Sequence, residues 1–298
     1  MDAKDLELIT LLGQNGRRDT SDLSEGLGIS PNNVERRIRL LLREGQLKGF
    51  SAFFDRRSFG YDTTYLKLHF DMRSMDRVID GVSRMPQITL VYPNMDDFMW
   101  VEVVHWDSVS LKAAIREMER IASPNTVTAH MTPRFSEEVP SPPKGKDLQV
   151  LKLLVKDGRV DPSTMAKLMD SDEESIGGHI VKLMNVHGVN VKPIVQEDMI
   201  TAYPAFSVIL ELKKGCRLDS CFFDLKNISK GSWDIIPLEK PSGMWMRFFG
   251  RDLHAMDMML ERYRRQPNVK DVTVILPDTM VVKRSVDINI LSGHVEKR

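Results

Sequence analysis

The sequence lacks the features that mark secreted and membrane-spanning proteins. It has only two cysteines in 298 residues, too few for a disulfide framework. No uncharged apolar run is long enough to cross a bilayer. The opening stretch, MDAKDLELIT, is acidic where a secretory signal is basic. We therefore expect a cytoplasmic protein in which Cys216 and Cys221 are free, buried thiols.

An excess of charge of one sign is missing as well. The 42 Lys and Arg residues balance 42 Asp and Glu residues, which argues against a uniformly basic nucleic-acid binder but leaves room for local asymmetry. The seven histidines show no metal-ligand spacing. Neither a glycine-rich phosphate loop nor a nucleophile elbow is present. The sequence predicts no cofactor, no metal and no enzyme.

What the chain does contain is an internal repeat of about 140 residues. The stretch 5–30 aligns without a gap on 147–172, an offset of 142 residues, and the match includes leucines, a glycine and helix-capping positions. Further along, FMWVEVV at 98–104 aligns with GMWMRFF at 243–249. The proline-rich stretch TPRFSEEVPSPPKGK separates the copies and is typical of a linker.

Each copy divides into a helical part and a sheet part. Three short helices are followed by a glycine-punctuated stretch, GQLKGFSAFFDRRSFGY, which predicts a small hairpin wing. From Tyr61 the periodicity gives strand, helix, strand, strand, helix, strand, the ferredoxin-like order. We predict an α+β fold with two winged helix-turn-helix domains, each followed by a ferredoxin-like (βαββαβ) antiparallel-sheet domain. The predicted bounds are 1–60, 61–135, a linker at 136–146, 147–200 and 201–298, with the run MVVKRSVDINIL extending the second sheet.

The third helix of the first copy, in SPNNVERRIRLLLREG, is rich in arginine. Ser30 is its predicted N-cap, Pro31 lies in its first turn and Gly45 follows its end. At 100° per residue it has two opposite faces. The apolar face holds Val34, Ile38, Leu41 and Leu42, and the opposite face holds Asn32, Arg36, Arg39 and Arg43, with Asn33 and Arg37 beside it.

This arrangement is typical of a helix that enters the DNA major groove. Arginine and asparagine each bond two acceptors on a base edge, and arginines that contact phosphates orient the protein without reading sequence. Among the predicted DNA-contacting residues, Asn32, Asn33 and Arg36 face the bases, and Arg37, Arg39, Arg43, Arg17, Arg18 and Lys48 face phosphates. Ser30, the cap of the helix, belongs to the same predicted set. The alternative is a solvated charged face on which Glu35 and Glu44 pair with some of the arginines.

The second copy of this helix has the opposite charge. Residues 28–60 carry seven basic and three acidic side chains, whereas the matching window 170–202 carries two basic and six acidic ones. Acidic side chains repel phosphate, and Gly177 and Gly178 weaken the helix. We predict that the second winged helix does not read DNA and serves as an interaction surface or a retained scaffold.

The stretch LGISPNNVERRIRLLLREGQLKGFSAFFDRRSFGY resembles the winged helix-turn-helix of the Lrp/AsnC (feast/famine) transcription regulators. The matching residues are Arg37-Ile38, Glu44-Gly45 and Leu47-Lys48-Gly49-Phe50. The resemblance implies a sequence-specific regulator that binds double-stranded DNA and forms a homodimer by pairing its sheet domains. Because one chain has two copies, that pair would form internally, leaving one reading head per chain.

The same resemblance implies a small-molecule, amino-acid-like effector near the turn before the third strand. Here that turn reads YPNMDDF and lacks the glycine of the family pattern. The implied effector-binding residues are Tyr92, Asn94, Asp96 and Asp97.

Two other functions stay open at this point. Tetrapyrrole (sirohaem-type) decarboxylases resemble the same combination of winged helix and ferredoxin-like domain, and their pockets use histidine and arginine on carboxylates. In this chain His69, His105 and Arg247 are the candidates for that role. A non-DNA adaptor acting through the acidic second winged helix is the other alternative.

Overall fold

The computed structural model describes residues 1–94, 98–122, 127–133, 138–197, 205–216, 218–229, 231–240, 242–250, 253–276, 281–283 and 285–293. Within these residues the chain forms two compact units. The winged-helix unit comprises 3–62, 138–196 and 285–293, and the sheet unit comprises mainly 63–133 and 197–283. No helix of the described part is long and apolar enough to span a membrane.

The elements follow one another in the order that the periodicity predicts. The helices are α1 (Ala3–Gln14), α2 (Thr20–Leu27), α3 (Pro31–Arg43), α4 (Met75–Arg84), α5 (Ser108–Ala122), α6 (Gly145–Lys156), α7 (Pro162–Leu168), α8 (Glu173–Asn185), α9 (Leu218–Ile228), α10 (Leu253–Arg264) and α11 (Ser285–Ser292). The strands are β1 (Leu47–Phe53), β2 (Asp62–His69), β3 (Ile88–Pro93), β4 (Phe98–His105), β5 (Val127–Pro133), β6 (Asn190–Val195), β7 (Ala205–Leu212), β8 (Ser232–Lys240), β9 (Gly243–Phe249), β10 (Val269–Ile275) and β11 (Val281–Val282). Two short 3-10 helices, Arg56–Phe59 and Met72–Ser74, complete the set.

Local sequence fixes where α2 ends and α3 begins. Gly28 adopts φ 64°, the left-handed conformation that glycine permits, and closes α2. The side chain of Ser30 then accepts the backbone N–H of Asn33, so the predicted N-cap of α3 is present. Val34, Ile38 and Leu41 are buried. Leu42, predicted to share their face, is 39% exposed because it lies about 80° around the helix from Val34, at the edge of that face.

The strand after α3 does not form the predicted hairpin wing. β1 pairs antiparallel with β6 of the second copy, with Ala52 opposite Val191, and Arg56–Phe59 is a 3-10 helix. A hairpin prediction considers only neighbouring sequence, whereas the partner of β1 lies about 140 residues away.

Reciprocal contacts flank this two-stranded sheet. Gly16 N–H donates to the Val191 carbonyl at 2.7 Å, and Gly158 N–H donates to the Phe50 carbonyl at 2.8 Å. The guanidinium of Arg17 donates to the Gly158 carbonyl at 2.8 Å. In return, the Arg159 guanidinium donates to the Gly16 carbonyl at 2.9 Å. The two winged helices therefore hold each other through equivalent positions.

The sheet unit contains the order strand, helix, strand, strand, helix, strand twice. Its nine strands run β10-β7-β9-β8-β5-β2-β4-β3-β11, and β5 pairs with β8 where the two halves join. Each half has a core between its strands and its two helices. A third cluster, which includes Tyr65, Tyr92, Trp100 and Trp245, lies on the other side of the strands.

The C-terminal run departs from the prediction that it extends the second sheet. Only Val281–Val282 forms a strand, and it pairs with β3 of the first half. Residues 285–292 form α11, which packs on α6 in the winged-helix unit. Val286 and Ile290 are buried and lie one helical turn apart. The apolar residues of this run therefore fit a helical period as well as the alternation that predicts a strand. The predicted domain 201–298 therefore ends before α11.

Gly158 lies at a close approach of the two winged helices and supplies a test of their pairing. A Cβ at this position would lie 2.9 Å from the Ser51 backbone nitrogen and 2.6 Å from Val191 Cγ1. We expect Gly158→Ala to lower the free energy of unfolding by about 1–3 kcal/mol, because backbone must move. Urea denaturation followed by circular dichroism measures this change.

Gly178 on α8 is the matched control. A Cβ there meets no atom within 4 Å, so Gly178→Ala should raise stability by roughly 0.5–1 kcal/mol through helix propensity. Equal denaturation midpoints for the two variants would contradict the tight contact at Gly158.

Candidate nucleic-acid interface

The outward face of α3 forms a basic strip, defined here as Asn32, Asn33, Arg36, Arg39 and Arg43. All five side chains are exposed. Within the strip, Arg36 Nε donates to Asn33 Oδ1 at 3.4 Å, a long and weak hydrogen bond. The strip is preformed, and its N–H donors are available to a partner.

Neighbouring acids do not neutralise the strip. Glu35 and Glu44 are exposed, and among the described residues neither forms an ion pair with Arg36, Arg39 or Arg43. The alternative, a solvated charged face on which Glu35 and Glu44 pair with these arginines, therefore has no such ion pair to support it among the described residues. Of the other predicted contacts, Lys48 is exposed on β1 and Arg18 is half-buried after α1.

The structure gives Arg37 a different role from the predicted phosphate contact. Its Nη1 donates to Asp5 Oδ1 at 2.6 Å, and the two side chains are 18% and 6% exposed. This ion pair joins α3 to α1 beneath the basic strip. Arg37 is therefore part of the frame that holds α3.

Arg17 is likewise engaged within the protein. Its guanidinium donates to the Gly158 and Val160 carbonyls at 2.8 Å and 3.2 Å. Burial, together with the nearby Arg159, lowers the pKa of Arg17. The predicted phosphate contact by Arg17 is replaced by a contact between the two winged helices.

The face of α8 that corresponds to the basic strip is exposed, but none of the five residues at the strip positions is basic. With the 142-residue offset, Asn32, Asn33, Arg36, Arg39 and Arg43 correspond to Glu174, Ser175, Gly178, Val181 and Asn185. Val181 is 57% exposed. A face of this composition has neither positive charge nor arginine N–H donors with which to bind phosphate.

The ion pair below the strip is kept in the second copy, although its residues change. Asp147 corresponds to Asp5 and His179 to Arg37, and His179 Nδ1 lies 2.6 Å from Asp147 Oδ1. Lys182 Nζ donates to Asp147 Oδ2 at 2.6 Å. The sequence alignment matched Asp5 with Asp147 but did not predict that each acid forms an ion pair with the third helix of its copy. The available signal was the separation of 32 residues between each acid and its partner, which is the same in both copies.

Tyr92 and Asn94 of the predicted effector site are packed inside the sheet unit. The Tyr92 hydroxyl donates to Glu197 Oε2 at 2.7 Å and lies 2.9 Å from Ser207 Oγ. Burial, and then the Glu197 charge, raises the pKa of Tyr92. Asn94 Oδ1 accepts the Leu276 backbone N–H at 2.9 Å. Asp96 and Asp97 lie outside the described residues.

The two histidines suggested for a decarboxylase do not come together. The His69 ring lies 5.8 Å from the ring of Phe98, at the start of β4. His105, at the end of β4, has its Nε2 2.9 Å from Thr64 Oγ1. An eight-residue strand spans about 23 Å, so the histidines are at opposite ends of β4.

We expect Arg37→Ala to lower the free energy of unfolding by about 1–3 kcal/mol, because it leaves the buried carboxylate of Asp5 without its partner. Arg39→Ala, on the strip two residues further, should stay within about 0.5 kcal/mol of the wild type. Thermal melting of both variants measures the difference. Equal loss of stability in both would contradict the division between frame and strip.

The counterpart acid gives a pH-dependent test. Burial raises the pKa of Asp147, but hydrogen bonds from Lys182 and His179 outweigh it and hold that pKa below its ordinary value of 3.8. The carboxylate therefore contributes stability above that value, and the contribution is lost as the pH falls through the lower folded-state pKa. We expect Asp147→Asn to reduce the melting temperature at neutral pH.

The gap in melting temperature between wild type and Asp147→Asn should narrow as the pH falls from 3.8 through the lower folded-state pKa, where the wild-type carboxyl group takes up its proton. Melting curves recorded from neutral to acidic pH show this convergence. A gap that is constant over the whole range would mean that the ionised carboxylate is not the source of the stability.

Known proteins resemble part of this chain in sequence. Residues 1–42 match the model of the AsnC-type helix-turn-helix domain. An uncharacterized HTH-type transcriptional regulator of Pyrococcus abyssi is 24% identical over 107 residues, 35% of this chain and 68% of the relative. The HTH-type transcriptional regulator FL11 of Pyrococcus horikoshii is 24% identical over 99 residues, 33% of this chain and 66% of the relative. The chain thus covers about two thirds of these relatives.

A solved structure is similar over nearly the whole chain. The crystal structure of the siroheme decarboxylase NirDL gives a TM-score of 0.54 at 15% identity, covering 97% of this chain and 98% of that one. At this identity the likeness concerns the fold alone. The AsnC-type domain covers almost all of α1 to α3, including most of the basic strip. By this likeness the chain is similar to HTH-type transcriptional regulators with an AsnC-type helix-turn-helix domain.

Proposed function

We propose that α3 reads DNA from the major groove with its basic strip against the duplex. The observation that carries this proposal is the strip itself: exposed arginines and asparagines without an acidic partner among the described residues. Asn32, Asn33 and Arg36, in the first half of α3, reach base edges after the Ser30 cap. Arg39 and Arg43, toward its end, contact phosphates.

Arg18 and Lys48 complete the phosphate contacts, whereas Arg17 and Arg37 support the frame. This revised set omits the two arginines whose guanidinium groups bind within the protein, and Ser30, whose side chain caps α3. The DNA interface is correspondingly smaller and lies on one winged helix.

The chain is proposed to be a tandem duplication that forms an internal pseudo-dimer with one reading head. The shared order of elements, the pairing of β1 with β6 and the reciprocal arginine contacts support the duplication. The absence of basic residues at the strip positions of α8 supports the proposal that α8 does not contact DNA. Two chains, joined as a homodimer, then supply the two reading heads that a palindromic operator requires.

The sheet unit is proposed to mediate oligomerisation and to sense a small molecule. A decarboxylase-type enzyme is the second candidate, favoured by the whole-chain likeness to NirDL and by the buried Arg247. The separation of His69 from His105 and the preserved basic strip favour the regulator. A purified protein with the colour of a bound tetrapyrrole would reverse this order of preference.

Substitutions in the strip should have two distinguishable effects on DNA binding. We expect Arg36→Ala to cost about 1–3 kcal/mol and to relax the preference for one base pair. Arg39→Ala should weaken binding to all sequences and reduce the slope of log K against log salt by about 0.9. Fluorescence anisotropy with duplexes selected from genomic DNA, over a series of salt concentrations, measures both effects.

Glu174→Ala on α8 is the matched control for the position of Asn32. It should leave the affinity for DNA within about twofold, because a residue away from the phosphates contributes no counterion release. Unchanged affinity in both arginine variants, or a clear loss in Glu174→Ala, would refute α3 as the only reading helix.

A further inference from the structure

Arg36 and Asn33 are joined by a hydrogen bond on the basic strip. Arg36 Nε donates to Asn33 Oδ1 at 3.4 Å, and both residues are exposed. The bond connects side chains three residues apart, which are neighbours on the surface of a helix. Within the described residues it is the one side-chain hydrogen bond that either residue makes. The rest of both side chains is therefore available to a partner.

This bond leaves the outer end of the guanidinium group available. A guanidinium group carries its N–H donors in a fixed planar fork, one on Nε and two on each Nη. Because Nε is committed to Asn33, the donors that stay available are those on Nη1 and Nη2. Arg36 therefore presents two parallel donors to whatever lies against the strip.

Two parallel donors match the major-groove edge of one base. Guanine presents O6 and N7, which are both acceptors, whereas adenine combines an N7 acceptor with an N6 donor. Cytosine presents an N4 donor, and thymine has one O4 acceptor beside its methyl group. A fork of two donors is therefore satisfied at both points by guanine and at one point or none by the other bases.

Asn33 also reduces the freedom of the arginine side chain. Freezing a long side chain on binding costs conformational entropy, and a side chain held near its bound position loses less of it. Asn33 itself is fixed at the start of α3, where its backbone N–H donates to Ser30 Oγ. The bond to Arg36 is long in the free protein, but it becomes stronger when DNA displaces the surrounding water and lowers the local dielectric.

The other two arginines of the strip have no such support. Arg39 and Arg43 are exposed, and within the described residues neither side chain forms a hydrogen bond or an ion pair. Arg36 is also the arginine of the strip that lies nearest to the N-terminus of α3, the part of a recognition helix that approaches base edges. Position and support thus distinguish Arg36 from the arginines assigned to phosphates.

We propose that Asn33 and Arg36 act as one unit that reads a guanine in the major groove. Asn33 holds Nε, and Nη1 and Nη2 of Arg36 donate to O6 and N7 of the base. Asn33 acts through Arg36 and is a positioning residue, not an independent reader of adenine. The inference rests on the proposed function, in which α3 lies in the major groove, and adds the base and the pair of residues that recognises it.

The probe is a duplex that the wild-type protein selects from a random pool of sequences. Replacing its guanines one at a time by 7-deazaguanine removes the N7 acceptor and keeps O6. We expect wild-type affinity to fall about tenfold at one guanine, since one good hydrogen bond corresponds to about a tenfold change. Arg36→Ala should bind the two duplexes equally, because it lacks the fork of donors. Fluorescence anisotropy measures these affinities.

A double-mutant cycle separates positioning from independent reading. Asn33→Ala should lower affinity in the wild-type background and have no further effect in the Arg36→Ala background, because it acts through that arginine. It leaves the N-cap intact, since that bond uses the backbone N–H of Asn33. Asn33→Asp keeps an oxygen for Nε, so it should keep the wild-type response to 7-deazaguanine, although its added negative charge weakens binding to every duplex.

Asn32→Ala is the matched control, an exposed asparagine of the same strip whose side chain has no partner among the described residues. Its loss of affinity should add to that of Arg36→Ala. Additive losses for Asn33→Ala, or the loss of the 7-deazaguanine response in Asn33→Asp, would overturn the positioning role. A wild type that responds to 7-deazaguanine at no position would overturn the reading of guanine.

Failure of the proposed function gives a different pattern. If α3 does not read DNA, then Arg36→Ala, Arg39→Ala and Arg43→Ala all bind the selected duplex as the wild type does, and the basis of the inference is removed. If α3 reads DNA but the pair does not act as a unit, these arginine variants still lose affinity while the cycle with Asn33→Ala is additive. The two failures are therefore distinguishable.

Discussion

The pairing of β1 with β6 is the interaction on which the rest of the winged-helix unit depends. In it, a strand from each copy finds its hydrogen-bond partner in the other copy. Gly16 and Gly158 allow the backbones to approach, and Arg17 and Arg159 cap the carbonyls at each end. The contact is made within one chain. The two copies therefore share one frame, although their outward faces differ.

The two copies share a frame, whereas their outward faces differ in charge. The acid beneath the third helix of each copy is kept, paired with Arg37 in one and with His179 and Lys182 in the other. The exposed positions above it changed from arginine to glycine, valine and asparagine. Buried ion pairs are constrained by the desolvation of their charges, whereas exposed positions are constrained only by their partners. Under the proposed function, DNA contact in one copy would account for the basic residues at its exposed positions.

Sequence reasoning found the elements that depend on local signals. Ser30, Pro31 and Gly28 set the bounds of α2 and α3, and the apolar period identified the buried face of α3. The helix-turn-helix and the mixed helix-and-sheet fold followed from these signals. Predictions failed where a distant segment decides the outcome. The partner of β1 is far away in sequence, and α11 is helical where it packs on α6.

The same limit applied to side chains. Periodicity placed Arg37 beside the basic strip, but only the position of Asp5 on α1 shows that its guanidinium group points inward. The aromatic rings around Arg247 come from strands of both halves of the sheet unit, so no single stretch of sequence contains them. An arginine in the apolar run GMWMRFF was the available signal, since a charge inside a buried strand requires an explanation.

The contact of α11 with the winged helices has a consequence for synthesis of the chain. Asp287 binds Arg56 with Nε to Oδ1 at 2.7 Å, although 231 residues separate them. α3 and Arg56 leave the ribosome early, but Asp287, the ionic partner of Arg56, is translated only when most of the chain has been made. Such long-range closure slows folding. An incomplete polypeptide thus carries the arginine helix without the anchor that completes its supporting domain.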